Sequence, residues 1–357
     1  MVLSKRWKFL WKFVQNLEYD HNMYREGEKW RFLQFVNSSL LSCETPVLES
    51  LHFKLGQNHG FVVIGACYTN SCVRELIIDI DSSSTKNLVL RPRSLSTGFG
   101  VNTLTKLKLR NAILEDVDSQ ISFPSLKDLS LVSMKYRAGD EFCNRFLSKY
   151  CPVLEDLEVK RCDNDNVEIF AIRVPSLKNL RLTSTSKRVK GDSLGFVIEA
   201  PSLKLLDIKD YSGGVCVIEN KMPEIVNAYI DVQYSCIEKL LGSIDSVQKL
   251  YICFPTSMCR HHQIQAKHPG KLPCWSEPSY IPECLTSSLE TFEWVRYQGK
   301  PDEKQAARFI LGNSSHLKTA TFYYKSIDLK DKRQVLMEEL SMLHRSSTCQ
   351  LAFKEST

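Results

Sequence analysis

The chain has 357 residues, 43% hydrophobic and 25% charged, and its 47 basic and 41 acidic side chains leave a net charge of +6. That composition describes an ordered chain with a large core; it excludes a nucleic-acid footprint, since neither a basic stripe nor interleaved aromatics appear, and no run reaches the roughly 18 apolar residues of a membrane span. The opening residues lack the uninterrupted apolar core of a signal peptide, so the 13 cysteines read as reduced thiols of a cytoplasmic or nuclear protein.

In chain order, Leu3, Trp7, Leu10, Trp11 and Val14 recur at the spacing of one helix face, with Lys5, Lys8 and Lys12 opposite. This predicts an amphipathic helix over residues 2–14, too short to be stable without a surface to pack on. A second helix is predicted over 28–41, with Leu33, Val36 and Leu40 facing in and Phe32 and Phe35 widening the face; Pro46 ends it.

From there a triple of apolar residues with offsets 0, +3 and +5 returns: Leu48/Leu51/Phe53, Val73/Leu76/Ile78, Leu104/Leu107/Leu109, Leu126/Leu129/Leu131, Leu154/Leu157/Val159, Leu177/Leu180/Leu182, Leu203/Leu206/Ile208, Ile225/Ala228/Ile230, Val247/Leu250/Ile252, Leu289/Phe292/Trp294 and Leu317/Ala320/Phe322. The last two residues of each triple share one side of a strand, because side chains alternate with period two. A single such strand cannot bury its face, but stacked copies cover one another. Most intervals fall in or near the 20 to 29 residues of leucine-rich repeats, whose L-x-x-L-x-L core the triples match. Pro124, Pro152, Pro175, Pro201 and Pro223 precede strands, where a missing N–H does least harm.

The intervals predict an irregular outer layer. Asp140 can cap a helix that carries Cys143, Phe146 and Leu147, whereas 167–174, 195–199 and 215–219 are short β-prone runs. Thr183 to Ser193 reads as an exposed loop. The long interval after Val247 holds no complete motif over 255–283 and is expected to be the least regular region. Beyond it come a strand at 289–297, a helix from Pro301 with Ala306, Phe309 and Ile310 facing in, a strand at 317–325, a helix at 329–343 with Leu336, Leu340 and Leu343 on one face, and a strand at 349–353. The expected fold is α/β: a leucine-rich-repeat solenoid with a parallel sheet and a mixed outer face.

Two stretches add a resemblance. Val2-Leu-Ser-Lys-Arg-Trp-Lys-Phe-Leu-Trp-Lys12, followed by Val14-Gln-Asn-Leu-Glu-Tyr-Asp20, resembles the closing helix and exit segment of a plant F-box. Ser288-Leu-Glu-Thr-Phe-Glu-Trp-Val-Arg-Tyr297 with Gly299, then Ile310-Leu311, Leu317-Lys-Thr-Ala-Thr321 and Ser347-Thr-Cys-Gln-Leu-Ala-Phe353, resemble the FBD domain of plant FBD-associated F-box/leucine-rich-repeat proteins. The resemblance divides the chain into an F-box remnant at 1–20, repeats at 21–285 with an irregular loop at 255–284, and an FBD domain at 286–357 that continues the repeat. The earlier F-box helices would lie before Met1, and family members usually carry more repeat sequence where 255–283 stands, which suggests an internal loss.

The resemblance implies a substrate-recognition subunit of a Skp-cullin-F-box ubiquitin ligase. Leu3, Trp7, Leu10 and Trp11 would then face a Skp-type adaptor or pack on the adjacent repeats, and a target protein would sit on the repeat surface. With only one F-box helix, the chain as given is expected to bind the adaptor weakly or not at all. The alternative is a non-ligase interaction protein or decoy that holds the same target.

The expected target contacts are the strand positions between the core residues: Lys106, Lys108, Lys127, Ser130, Asp156, Glu158, Arg181 and Asp207. No catalytic constellation and no cofactor motif is present, so an enzyme is not expected. Cys259, His261, His262, His268, Cys274 and Cys284 are the only cluster with metal-ligand chemistry, but their spacing misses the paired pattern of zinc sites and an exposed loop is expected instead. The close carboxylates Asp79/Asp81 and Asp163/Asp165 are expected to be solvated.

Overall fold

The computed structural model describes residues 10–25, 28–56, 72–81, 88–91, 95, 101–115, 122–137, 139–162, 165–184, 195–211, 215–232, 237, 240–254, 275, 277–324, 338, 340, 342 and 349–355. They fall into two compact units, residues 1–177 and 178–357. In both, every member of the apolar triples is at most 2% exposed.

The first unit runs β1 (Asn16–Asp20), α1 (Lys29–Leu41), β2 (Val47–Leu55), β3 (Cys72–Ile80), β4 (Leu88–Leu90), β5 (Lys106–Arg110), β6 (Ala112–Leu114), β7 (Asp128–Val132), β8 (Lys135–Tyr136), α2 (Asp140–Tyr150), β9 (Asp156–Arg161) and β10 (Ile169–Arg173). Its main sheet is parallel in the order β1, β2, β3, β5, β7, β9, and a second sheet has the order β4, β6, β8. The register puts core residue beside core residue: Leu51, Leu76, Leu107, Leu129 and Leu157 form one row, and Phe53, Ile78, Leu109, Leu131 and Val159 the next. Each repeat thereby buries the apolar row of its neighbour.

The second unit runs β11 (Asn179–Ser184), β12 (Gly195–Glu199), β13 (Leu205–Asp210), β14 (Val215–Ile218), β15 (Asn227–Val232), β16 (Lys249–Cys253), α3 (Glu283–Ser287), β17 (Thr291–Val295), α4 (Pro301–Asn313), β18 (Thr319–Tyr324) and β19 (Gln350–Glu355). Its main sheet is again parallel, in the order β11, β13, β15, β16, β17, β18, β19, and β12 pairs with β14 on the other layer. Here the core rows become aromatic. Trp294 and Phe322 stack with centroids 6.2 Å apart, and Phe322 stacks on Phe353 at 5.5 Å.

The prolines do more than open strands. Phe123-Pro-Ser-Leu126 is a β-turn closed by Leu126 N–H to the Phe123 carbonyl at 3.2 Å, and the same bond closes turns at Leu154, Leu177, Leu203 and Ile225. Proline occupies the second turn position, where its fixed φ fits and no N–H is needed. The serine beside it ties repeats together: Ser125 Oγ donates to the Asn102 carbonyl at 2.6 Å and Ser176 Oγ to that of Leu154 at 2.7 Å.

Several expectations need correction. The predicted helix over 2–14 does not reach its end: Leu10–Phe13 is a 3-10 turn, with residues 1–9 outside the described residues. The physical reason lies across the sheet edge, where the Lys12 carbonyl accepts from Glu44 N–H and the Gln15 carbonyl from Glu49 and Ser50, drawing 16–20 into strand β1 beside β2. No strand was expected there. On α1 the buried face is Phe32, Val36 and Leu40, while Phe35 is 53% exposed and meets Tyr19 only edge-on. Asp140 is the first residue of α2 rather than its cap, Gly139 at φ 61° being the cap; the Asp140 carboxylate instead accepts the N–H groups of Glu168 and Ile169. Thr183 and Ser184 complete β11, with Ser184 buried, so the loop expected from Thr183 begins later; residues 185–194 lie outside the described residues. Asp165 is no surface carboxylate. It is 4% exposed and bound bidentately by Arg161, Nε to Oδ2 at 2.7 Å and Nη2 to Oδ1 at 3.0 Å.

Candidate interaction face

Within each triple the +4 residue lies between two core positions and therefore points out of the opposite side of the sheet. In the first unit this places Ile77, Lys108, Ser130 and Glu158 in one solvent-side row, with Glu75, Lys106, Asp128 and Asp156 in the next. Glu75, Lys106 and Asp128 alternate in charge from strand to strand, and they pair with one another and with Lys108. Lys106 Nζ lies 3.0 Å from Asp128 and 3.7 Å from Glu75, Lys108 lies 3.5 Å from Glu75, and Arg110 lies 3.6 Å from Asp79. The Asp128 carboxylate holds the Lys106 ammonium above its ordinary pKa. Lys106 and Lys108 thus serve strand-to-strand neutralisation.

The other expected contacts divide similarly. Ser130 is only 5% exposed, because it lies beneath long neighbours and donates to Glu158 Oε2 at 2.7 Å. Lys127 is exposed but sits one residue before β7, where it pairs with Glu155 at 3.2 Å. Asp156 and Glu158 are half-buried on β9. Lys108 and Ser130 also line a shallow depression with Ile77, Asp79, Arg110 and Val132.

In the second unit, Arg181, Asp207, Tyr229, Tyr251 and Glu293 form the corresponding row. Tyr229 and Tyr251 stack with centroids 4.2 Å apart and planes within 10°. Beside them Tyr211 donates its hydroxyl to Asp231 Oδ2 at 2.5 Å, and Lys209 Nζ stands 5.6 Å from the centre of the Tyr211 ring. Burial pushes the Asp207 carboxyl up in spite of Arg181 and Lys209, and pushes the Tyr251 phenol up to about 12 with help from Tyr229 and Glu293. Burial, then Glu293, raises the Tyr323 phenol. The contacts expected from the sequence end at Asp207. The same +4 and +6 offsets, carried on from Ile225, Val247, Leu289 and Leu317, reach Tyr229, Asp231, Tyr251, Glu293 and Tyr323.

Of the four residues expected to face an adaptor or pack on the repeats, Leu3 and Trp7 lie outside the described residues, while Leu10 and Trp11 are 49% and 42% exposed, next to exposed Phe13 and Val14. Of the cysteine and histidine cluster only Cys284 is described; it is fully buried in α3, its thiol pushed up to about 12 by burial. Among the described residues no group of three or more histidines, cysteines and carboxylates could hold a metal ion, and no helix is long and apolar enough to cross a membrane.

One parallel strand per repeat, a buried apolar row and an irregular outer layer define a leucine-rich-repeat solenoid of α/β class. Residues 66–226 match the repeat model described as "FBD-associated F-box protein At5g56370, LRR repeats", and residues 277–322 match the FBD domain. In Arabidopsis thaliana, the "Probable FBD-associated F-box protein At1g32375" is 43% identical over 99% of this chain and 93% of its own length. The "F-box/FBD/LRR-repeat protein At5g56420" of the same plant is 38% identical over 99% and 92%. The chain belongs to the family of FBD-associated F-box proteins with leucine-rich repeats. These alignments run over 408 and 402 positions, more than the 357 residues here, so the relatives carry segments within the aligned span that this chain lacks. No solved structure matches the chain.

Proposed function

We propose that the chain is the target-binding subunit of a Skp-cullin-F-box ubiquitin ligase, holding a protein on the solvent side of its repeat strands. Its own part is recognition, with no bond chemistry. The observation that carries this reading is the outward row of the second unit, where stacked tyrosines and carboxylates replace the self-paired ions of the first. Tyrosine supplies large contact area at low entropic cost and is enriched at the centres of protein interfaces. The F-box in the relatives' names supports a Skp-type adaptor as the second partner, and the exposed Leu10, Trp11, Phe13 and Val14 suit such a contact. A cytoplasmic or nuclear setting fits the nine described cysteines, none of which forms a disulfide among the described residues. The domain limits we adopt are 1–20, 21–285 and 286–357.

A second reading, an interaction protein without ligase recruitment, is favoured by the 3-10 turn at Leu10–Phe13 where the resemblance implied an α-helix. Calorimetric titration of the full chain with a recombinant Skp-type adaptor separates the two. Saturable binding that weakens in Trp11→Ala supports the ligase subunit; no heat of binding supports the second reading.

A further inference from the structure

We propose that Tyr211, Tyr229, Tyr251 and Tyr323, with the carboxylates of Asp231 and Glu293, form a seat for an arginine or lysine side chain presented by an extended segment of the target protein. This rests on the target-binding reading above and adds the chemistry of what is bound.

Three observations carry it. The first is aromatic: Tyr229 and Tyr251 make one continuous stacked surface, and Tyr229 remains 36% exposed. Aromatic faces attract cations, and the patch already shows this within the chain, where Lys209 Nζ stands over the Tyr211 ring. The second is charge. On the first unit's outward rows Glu75, Asp79 and Asp128 are each ion-paired across strands. Among the described residues, Asp207, Asp231 and Glu293 form no ion pair; Arg181, Lys209 and Arg296 are near enough to act on their surroundings but not in contact with them. The third is an unfinished hydrogen-bond set. Asp231 Oδ2 accepts from Tyr211, the Cys253 thiol lies beside the same carboxylate, and Oδ1 is buried with no donor in full hydrogen-bond geometry among the described residues. A buried carboxylate oxygen without a full donor is costly, and a cation seated beside the carboxylate offsets part of that cost through its charge. The patch therefore offers a cation carboxylate charge, flanked by rings that suit its aliphatic stem.

The test uses the full chain on an array of random dodecapeptides, followed by fluorescence anisotropy with the best-ranked labelled peptide. The expected result is enrichment of peptides with an arginine or lysine next to apolar residues. Affinity should fall about tenfold in Glu293→Gln and in Tyr229→Ala, and equally when the peptide's arginine is replaced by citrulline. Glu290→Gln, at a surface ion pair with Lys318 before β17, should stay within about twofold. Glu293→Gln keeps the side-chain shape, and an unchanged melting temperature shows that the fold is retained. Enrichment of peptides without a cation, or of none, overturns the proposal. Basic peptides insensitive to Glu293→Gln and Tyr229→Ala overturn it too, while leaving the target-binding reading in place. Dimerisation abolished by Tyr229→Ala would make a second copy the occupant and also overturn it.

Discussion

The ring of Tyr229 lies flat on that of Tyr251, one strand along, with centroids 4.2 Å apart. Adjacent parallel strands bring equivalent positions together, so two successive repeats that spend their outward residue on tyrosine build a surface neither could build alone. We expect the pair to be energetically coupled. A double-mutant cycle with Tyr229→Ala and Tyr251→Ala, read by denaturant unfolding, should give a coupling of about 0.5–1.5 kcal/mol.

The Arg161 and Asp165 pair should behave differently from the surface ions. Both side chains are buried, and the Arg161 guanidinium also donates to the Val167 carbonyl, so the pair pins the chain between β9 and β10. Asp165→Ala leaves a buried guanidinium without its counter-ion and should cost about 3–5 kcal/mol. Glu49→Ala, which breaks the exposed pair with Arg74, should cost under about 1 kcal/mol in the same urea titration.

Glu303 is fully buried at the start of α4, where its Oε2 accepts the N–H groups of Gln298 at 2.8 Å and Lys300 at 3.1 Å. Burial raises its carboxyl, outweighing those two donors. The folded chain therefore holds this proton to higher pH than the unfolded chain, and stability falls as pH rises from the unfolded carboxylate range through the folded value. Unfolding measured across that range should show this slope in the wild type and lose it in Glu303→Gln. Glu303→Ala should cost about 1–3 kcal/mol at neutral pH, because the two donors lose their acceptor.

Leu206 sits between Leu180 and Ala228 in the core row of the second unit. Leu206→Ala should destabilise by about 2–5 kcal/mol through the cavity it leaves. Because repeats stack on nearest neighbours, hydrogen exchange should quicken in β11, β13 and β15 before it does in β18.

What was legible in the sequence was whatever repeats. The apolar triples named the strands, because their offsets are the strand period written over and over, and the same count reached Trp294 and Phe322 near the far end. The serine of Pro-Ser-Leu was equally repeated, yet its bond to the previous repeat's carbonyl stayed hidden, since a hydroxyl in a turn carries no period of its own. Leu10–Phe13 misled for the opposite reason. Its helical spacing is genuine, but the carbonyls of Lys12 and Gln15 are taken by the chain around β2, and a contact with a distant segment overrides a local pattern. Asp165 looked like a surface acid because its partner Arg161 lies across a turn. On the candidate face, charged residues were legible as outward positions, but which ones pair with each other depends on register: Lys106 is neutralised by strands 31 and 22 residues away, at Glu75 and Asp128.

The most direct test of the central claim is the half-life of whichever protein cross-links to a photoreactive amino acid placed at Tyr229. It would be followed in plant cells after translation is stopped, with either the wild-type chain or the Tyr229→Ala, Glu293→Gln variant present. A target held on this face for ubiquitination should be short-lived with the wild-type chain, longer-lived with the variant, and stabilised by a proteasome inhibitor in the first case only. The same half-life with both chains would contradict the account.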